Sequence, residues 1–425
     1  MLDEITVTVE ALAHGGLCVS RVKSGPEELI GKKIFVGGVI PSEQAVVVIR
    51  SEKDRFAEAD LLKIVEPAPG RVQPPCPYFG RCGGCDLQHI EIAVQRACKL
   101  EMIATMLLKQ GRLQPQRGLV ELGQGLPAYA YRRRMNFHLN AAGELGLFGR
   151  RTRDLVDVKQ CLLLDEKLRP TYQKLRELRF KLAPFVGGVS LELLDGREFL
   201  FFKLRSDEVD LSKSKLPASL EEILGAFPNV IVAAGDRELY RRVDFVEPIE
   251  AEYQALLSGR FSQVNAAGNR LLQEAICAKI QGPRVTEFFA GAGNFTIPLA
   301  RLGRVVTAVE VDPLLVEAGR RYAQSAGVAD RVLFESGTAE KFAKEKACGE
   351  VLLLDPPRSG AKEVVIHCRP AETKQIVYVS CSLPTLVRDL RLLTQQGYQL
   401  DEVGFVDMFP QTGHVETVTV LRSSA

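Results

Sequence analysis

The 425-residue sequence lacks a long apolar run, a signal peptide and a large net charge. No run approaches the ~20 apolar residues of a membrane span, so we expect no membrane contact. Its start, Met1-Leu-Asp-Glu, has neither a basic region nor an apolar core, which predicts a cytoplasmic protein. The 55 Lys and Arg residues against 53 Asp and Glu residues exclude a protein that coats nucleic acid by bulk charge alone. A local basic patch is compatible with this balance.

Histidine is scarce, and cysteine is unevenly placed. Only five histidines occur, and no Ser-His-Asp pattern is present. A chain of this length can bury a large core and needs no disulfides to fold. Three of the ten cysteines, Cys76, Cys82 and Cys85, lie close together. In a chain without an export signal, such a cluster favours metal binding over disulfides.

Length and residue patterning predict three domains. Residues 1–66 are short alternating runs separated by Gly and Pro, which predicts an OB-like β-barrel. A proline-rich linker opens residues 67–257, a mixed α+β region with a predicted helix from Ile92 to Gln110. In residues 258–425, apolar strands alternate with helices, which predicts a doubly wound, Rossmann-like parallel sheet of the α/β class.

A glycine turn and an acidic residue predict a cofactor at the carboxyl end of this sheet. Gly291-Ala-Gly293 follows the first strand, where glycine lets the backbone approach a ligand. Glu310 ends the second strand, where a carboxylate can bind the two hydroxyls of a ribose. We therefore expect a cofactor that contains adenosine, and this element does not separate NAD from S-adenosylmethionine (SAM). A structural turn with a solvated Glu is the alternative.

Three further motifs lie at strand ends near the same crevice. Asp355 follows four apolar residues and begins Asp-Pro-Pro-Arg, whose prolines fix the backbone. Cys381 lies at a strand-to-helix junction, where helix N–H groups favour the thiolate. His414 and Glu416 open the last strand, and both are candidate bases. No helix separates this strand from Phe405–Phe409, which predicts an antiparallel hairpin at one sheet edge.

The cysteine cluster predicts a metal site. Cys76, Cys82 and Cys85 lie on a loop that contains glycine, and three thiolates on such a loop can bind one centre. Zinc and iron–sulfur clusters both accept four cysteines. Cys161 is the best-placed fourth ligand, since Cys98 lies inside the predicted helix on a less suitable face.

Residues 131–160 form a basic stretch with seven Lys or Arg residues and three acidic residues. The charge is concentrated in Arg132–Arg134 and Arg150–Arg153, and three aromatic residues accompany it: Tyr131, Phe137 and Phe148. This combination suits phosphate contact and base stacking, so we expect RNA to bind here. A solvated hairpin is the alternative.

Taken in order, the motifs resemble those of the RNA uracil-5-methyltransferase family over the whole chain. The matching motifs are Cys76/Cys82/Cys85 with Cys161, Tyr131-Arg-Arg-Arg134, Phe261-Ser-Gln263-Val-Asn265, Gly291-Ala-Gly293-Asn-Phe-Thr296, Asp355-Pro-Pro-Arg358, Ser380-Cys381 and Thr412-Gly-His-Val-Glu416. The combination of a barrel, of the TRAM type in this family, with a cysteine cluster is most similar to the 23S rRNA branch. The chain departs from the family at Ala290, where Cys or Ser is usual, and at Ser382-Leu383, where Asn-Pro is usual.

The resemblance implies the site residues and their roles. It implies that Cys381 is the nucleophile that adds to uracil C6, and that Glu416 is the base that removes the C5 proton. It implies a 4Fe-4S cluster held by Cys76, Cys82, Cys85 and Cys161. It also implies six residues that contact SAM: Gln263, Phe289, Asn294, Glu310, Thr338 and Asp355.

We therefore expect SAM-dependent methylation of uracil C5 in RNA, with 23S rRNA as the substrate. The alternatives are a tRNA uracil-5-methyltransferase, a non-catalytic RNA-binding protein with a decayed methyltransferase domain, and an NAD-linked oxidoreductase. The presence of both Cys381 and Glu416 argues against a decayed enzyme, and Asp355-Pro-Pro-Arg358 has no role in an oxidoreductase. We expect a monomer that binds RNA and not DNA.

Overall fold

The computed structural model describes most of the chain. The described residues are 4–123, 125–194, 196–205, 216–235, 237–243, 263–346 and 348–424. Phe261 and Ser262, which begin the predicted Phe-Ser-Gln motif, lie outside them. Within these ranges, the structure contains no helix that is long and apolar enough to cross a membrane.

Five N-terminal strands close into a barrel, which confirms the barrel predicted at the start of the chain. They are β1 (Glu4–Leu12), β2 (Cys18–Ser24), β3 (Lys33–Val36), β4 (Gln44–Glu52) and β5 (Phe56–Glu66). They pair in the order β1-β2-β3-β5-β4. Alternate residues of β1, namely Ile5, Val7 and Val9, are buried, as the two-residue period of a strand requires.

The middle of the chain contributes helices and a second sheet. Helix α1 (Ile92–Thr105) continues as a π-helical segment, Met106–Gly111, close to the end predicted at Gln110. Strand β6 (Leu119–Leu122) follows. The next seven strands are β7 (Arg134–Leu139), β8 (Leu145–Phe148), β9 (Leu155–Asp157), β10 (Val186–Leu194), β11 (Arg197–Leu204), β12 (Val230–Ala234) and β13 (Arg237–Arg242). They form one sheet, on which α2 (Arg169–Leu182) and α3 (Ala218–Leu224) pack.

The C-terminal part alternates strands and helices, which confirms the predicted Rossmann-like sheet. Its strands are β14 (Arg284–Phe288), β15 (Val305–Glu310), β16 (Val332–Ser336), β17 (Val351–Leu354), β18 (Gln375–Ser380), β19 (Tyr398–Val406) and β20 (Glu416–Ser423). Its helices are α4 (Ala266–Lys279), α5 (Thr296–Arg301), α6 (Pro313–Ser325), α7 (Ala339–Lys346), α8 (Lys362–Val365) and α9 (Leu383–Gln395). All residues of β17 and β18 are buried, as expected of parallel strands covered on both faces.

The sheet order, β16-β15-β14-β17-β18-β20-β19-β6, corrects one expectation. Strands β19 and β20 pair antiparallel, as predicted, but their hairpin is not the sheet edge, because β6 pairs in parallel with β19. A strand from the middle region thus covers backbone N–H and C=O groups that β19 would otherwise expose. The strand predicted at Phe405–Phe409 also begins earlier, at Tyr398. The domain boundaries at residues 66 and 257 stay predictions.

Candidate functional site

A cavity of about 610 Å³ opens at the carboxyl ends of the parallel strands. Six of the predicted site residues line it: Gln263, Phe289, Asn294, Asp355, Cys381 and Glu416. Ligands bind at this edge of open α/β sheets. The predicted nucleophile, the predicted base and four of the six predicted SAM contacts therefore share one cavity, although their individual roles stay predictions.

The turn after β14 brings the backbone to the cavity. Phe289 has a φ of +63°, and Gly291 and Gly293 have φ values of +57° and +95°. This left-handed region suits glycine, and it is unusual for a phenylalanine. Ala290, where the family usually has Cys or Ser, is buried, and its carbonyl accepts a hydrogen bond from the Gly293 N–H at 3.0 Å. The turn keeps its tight form with alanine at that position.

Two helix residues that the sequence analysis did not single out fix the Asn294 side chain. Nδ2 of Asn269 and Nε2 of Gln273 donate to Oδ1 of Asn294, at 2.9 Å and 3.0 Å. Both donors come from α4, where their spacing of four residues places them on one helix face. That spacing, directly after the Gln263–Asn265 motif, is the signal that could have identified them.

The remaining two predicted SAM contacts lie outside the residues that line the cavity. The Glu310 carboxylate borders the glycine turn, since Oε2 accepts from the Gly291 N–H at 3.0 Å and Oε1 from the Asp312 N–H at 2.9 Å. Each oxygen retains a lone pair for a ligand. Thr338 is exposed, and its hydroxyl accepts from the Lys341 N–H at 3.3 Å at the start of α7. Both roles stay predictions.

Strand pairing places Cys381 opposite Glu416. Ser380, the last residue of β18, pairs with Thr417 of β20, and the Thr417 hydroxyl donates to the Ser380 carbonyl at 3.1 Å. If the antiparallel register is continued by one residue, Cys381 lies opposite Glu416, at the carboxyl end of β18. Cys381 also lies two residues before α9, which begins at Leu383.

Burial raises the pKa values of all three groups at this site, so the lowered pKa that the helix N-terminus predicted for Cys381 is not found. Burial and the Glu416 carboxylate raise the pKa of the Cys381 thiol, and the Arg358 guanidinium opposes that rise. Burial and the neighbouring Asp355 raise the pKa of Glu416 well above its usual range. Burial raises the pKa of Asp355 to about 7. Carboxyl groups whose pKa values are raised in this way can accept and return protons under physiological conditions.

His414, the other candidate base, also lines the cavity but remains neutral. Burial, followed by the positive charges of Arg358 and His14, lowers the pKa of His414 to about 4. His14 belongs to the N-terminal barrel, so a residue far away in sequence influences the catalytic crevice. A neutral imidazole can still accept a proton, so His414 stays a second candidate base.

Three segments of the chain meet beside Glu416. The barrel loop at Gly16 packs so closely on Gly413 that a Cβ on Gly413 would lie 2.1 Å from the Gly16 nitrogen. The loop that contains Cys76, Cys82 and Cys85, here called the cysteine loop, ends at Asp86. Oδ2 of Asp86 accepts a hydrogen bond from the Gly413 N–H at 3.3 Å. The barrel and the cysteine loop are therefore part of the wall that supports the catalytic strand.

The four predicted metal ligands line a second cavity, of about 620 Å³. They are Cys76, Cys82, Cys85 and Cys161. The Gly84 N–H donates to the Cys82 sulfur at 3.4 Å, and burial raises the pKa of Cys85 to about 12. Cys98 is buried in α1 and does not line this cavity. Within the described ranges, no three His, Cys, Asp or Glu side chains form a group that could hold a single metal ion, and the 4Fe-4S assignment stays a prediction.

Two of the three aromatic residues expected to stack on RNA bases are in the core, so that prediction was wrong for them. Tyr131 is 5% exposed, and Phe137 is 1% exposed. Phe137 stacks on Tyr172, with ring centroids 4.2 Å apart, because alternate residues of β7 point into the core. Phe148 is 41% exposed, and its ring stacks on His138 with ring centroids 3.9 Å apart.

The arginines of the basic stretch divide into two groups. Nε of Arg133 donates to the Gln263 carbonyl at 2.8 Å, and Nε of Arg134 forms a 2.8 Å ion pair with Glu192. These two side chains are engaged within the protein through Nε, which fixes their orientation. Arg153 is exposed and is the better candidate for phosphate contact.

Comparisons with known proteins give matches over nearly the whole chain. A family model described as tRNA (uracil-5-)-methyltransferase matches residues 241–424. The protein named 23S rRNA (uracil(1939)-C(5))-methyltransferase RlmD from Pectobacterium atrosepticum is 33% identical, over 98% of this chain and 93% of that one. The protein of the same name from Shewanella woodyi is 32% identical, over 99% of this chain and 96% of that one.

A solved structure has the same fold. The Pyrococcus abyssi tRNA (uracil-54, C5)-methyltransferase in complex with S-adenosyl-L-homocysteine aligns with a TM-score of 0.73 and 20% identity. The alignment covers 98% of this chain and 99% of that one. At this identity the likeness concerns the fold alone, and it extends through all parts of the chain.

Proposed function

The chain belongs to the RNA uracil-C5-methyltransferase family, and on this basis we propose that it transfers the methyl group of SAM to C5 of a uridine in 23S rRNA. The observation that carries the proposal is the shared cavity of Cys381, Glu416 and the predicted SAM contacts at the carboxyl ends of the sheet strands. The substrate follows from the relatives, which are named for 23S rRNA and align over 93% and 96% of their length. Their names specify uracil 1939, which makes the equivalent uridine the first to test.

The reaction begins with attack on the base. Uracil C5 is a poor nucleophile, and the target uridine must leave its stack to reach the cavity. The Cys381 thiolate adds to C6, which forms a C–S bond and converts the C5–C6 double bond into an enolate. The Arg358 guanidinium favours the thiolate, against the effects of burial and Glu416.

Methyl transfer and elimination complete the cycle. The C5 carbon of the enolate takes the methyl group of SAM, and S-adenosylhomocysteine is the leaving group. Glu416 removes the C5 proton, the C5–C6 double bond re-forms, and the Cys381 thiolate departs from C6. Asp355 lies in the same cavity, and burial raises its pKa to about 7.

Cys76, Cys82, Cys85 and Cys161 would hold a 4Fe-4S cluster in this proposal. Four thiols around one cavity match the donor set of such clusters. A zinc ion requires its four sulfurs at about 2.3 Å from a single centre, whereas a cluster has four separate iron corners and suits thiols spread around a larger cavity. The cluster would tie the loop after the barrel to the segment that contains Cys161.

The direct test is methylation of unmodified 23S rRNA by the purified protein with SAM. We expect 5-methyluridine in nuclease digests analysed by mass spectrometry, and its position mapped to one uridine. Cys381→Ala should abolish the product while SAM binding by calorimetry is retained. Cys277→Ala, at a half-buried thiol of α4, should remain active. Efficient methylation of tRNA transcripts with none of 23S rRNA would instead favour the tRNA alternative.

A further inference from the structure

The connection between β19 and β20 carries the residues that precede Glu416. It runs from Asp407 to Val415, and two of its residues, Phe409 and His414, line the catalytic cavity. Gln411 has a φ of +68°, a left-handed conformation that a non-glycine residue adopts only when its surroundings hold it. The position of the Glu416 carboxylate therefore depends on what fixes this connection.

Gln95, from the first turns of α1, is one residue that holds it. Its side chain is 0% exposed, and Nε2 donates to Oε1 of Gln411 at 2.9 Å. Oε1 of Gln95 accepts from the Gln411 backbone N–H at 3.1 Å. The same Nε2 donates to the Leu87 and Ile90 carbonyls, at 3.0 Å and 2.8 Å. Gln95 thus joins the segment after Cys85 to the centre of the connection.

The cysteine loop holds the same residue from its other side. The N–H groups of Asp86 and Leu87 both donate to the Gln411 carbonyl, at 2.8 Å and 3.0 Å. Asp86 directly follows Cys85, and its carboxylate accepts from the Gly413 N–H. The backbone N–H, the backbone carbonyl and the side-chain Oε1 of Gln411 are therefore all engaged by residues 86–95.

Lys99, one helical turn after Gln95, holds the beginning of the connection. It is 0% exposed, and Nζ donates to Oδ1 of Asp407 at 2.7 Å and to the Phe409 carbonyl at 3.1 Å. A wholly buried lysine is rare, and its charge is stable there only because a carboxylate and a carbonyl compensate it. Because four residues separate them, Gln95 and Lys99 share one face of α1 and bind the connection at two points.

We propose that Gln95 and Lys99 are positioning residues for the elimination step, which hold the connection so that the Glu416 carboxylate faces the C5 proton. This inference rests on the proposed function of Cys381 and Glu416. Neither Gln95 nor Lys99 lines the catalytic cavity, so they act through the connection alone. Because Cys381 directly follows β18 and is not part of the connection, addition and methyl transfer should proceed when the connection loosens, and only proton removal should slow.

The test uses Gln95→Met, which keeps the length of the side chain and removes its hydrogen bonds. Gln375→Met is the matched control, since Gln375 is also a buried glutamine. Its Nε2 donates to the Lys279 carbonyl at 2.7 Å, and its Oε1 accepts from the Gln281 N–H at 2.8 Å. It lies at the opposite end of the sheet, at the start of β18.

We expect Gln95→Met to lower kcat by about 10- to 100-fold, the range that a misplacement of about 1 Å produces. SAM affinity should not change, and a covalent protein–RNA adduct should accumulate and remain visible on a denaturing gel. Glu416→Gln should accumulate the same adduct, and Gln375→Met should not. Lys99→Met should behave like Gln95→Met, and it provides a second measurement if Gln95→Met does not fold.

Two kinds of result would overturn the inference, and they are distinguishable. In the first, Glu416→Gln accumulates the adduct, but Gln95→Met and Lys99→Met either turn over without accumulating it or do not fold. Gln95 and Lys99 are then residues that only stabilise the fold, and the proposed function stands. If Glu416→Gln turns over normally without adduct, the proposed role of Glu416 fails, and the positioning inference fails with it.

Discussion

We expect this protein to lose stability at alkaline pH, and replacing Glu287 with glutamine should remove much of that loss. Glu287 lies in β14 and is 1% exposed. Oε2 accepts a hydrogen bond from the Thr296 hydroxyl at 2.6 Å, and Oε1 has no hydrogen-bond partner among the described residues. Burial raises the pKa of Glu287 to about 8, with a smaller contribution from Asp355, against the effect of the Thr296 hydrogen bond.

The sign follows from the direction of this shift. An acid whose pKa is higher in the folded protein binds its proton more tightly when folded, so its stabilising effect is complete below the unfolded pKa of 4.5 and is lost as the pH rises through about 8. At about 1.36 kcal/mol per pKa unit, this group alone can lower the unfolding free energy by roughly 5 kcal/mol, of which about 4 kcal/mol falls between pH 5 and pH 9. Glutamine has no charge to gain and should not show this loss.

The measurement is the unfolding free energy of parent and variant in urea at several pH values between about 5 and 9. Because the chain has no tryptophan, circular dichroism follows the transition. Subtracting the two profiles removes the other groups that titrate, and the difference should grow with pH in favour of Glu287→Gln. The exposed Glu274→Gln, in α4, serves as the control and should follow the parent. Parallel profiles for parent and Glu287→Gln would refute the argument.

Three other outcomes are expected. The rate of adduct formation should increase with pH as the Cys381 thiol ionises. Arg358→Gln should shift the midpoint of that increase to higher pH, because the guanidinium lowers the pKa of Cys381; an unchanged pH profile would contradict this. Protein purified without air should contain iron and acid-labile sulfide, and Cys161→Ser should lose them, whereas one equivalent of zinc would exclude the cluster. Arg153→Ala should weaken RNA binding and reduce the salt slope by about 0.7 to 0.9 if it contacts one phosphate, and a slope equal to that of the parent would argue against such a contact.

Much of the fold could be predicted because the local patterns agree with the tertiary structure. The four apolar residues before Asp355, Val351–Leu354, form a strand, and the segments between the strands form helices. Both are decided by the spacing of apolar residues within each segment. The barrel was recognisable for the same reason, from alternation within each strand.

The shared cavity was predictable in outline from strand ends. Asp355 and Cys381 each follow an apolar strand, and the carboxyl ends of parallel strands converge at one edge. Residues that come to a site from elsewhere gave no such signal. Lys99 and its partner Asp407 are 308 positions apart in sequence, and nothing in the composition of α1 shows that Lys99 will be buried against Asp407.

The sequence by itself determined which segments are strands and helices, and which chemical groups stand at the ends of the strands, because both depend on local spacing of apolar and polar residues. Only the tertiary structure decided that β6 completes the C-terminal sheet and that Tyr131 and Phe137 are core residues. It alone also decided that Gln95 of α1 hydrogen-bonds to the connection between β19 and β20. Pairing, burial and hydrogen bonding between distant segments depend on which surfaces meet when the chain folds, and that choice is made by the packing of the whole molecule.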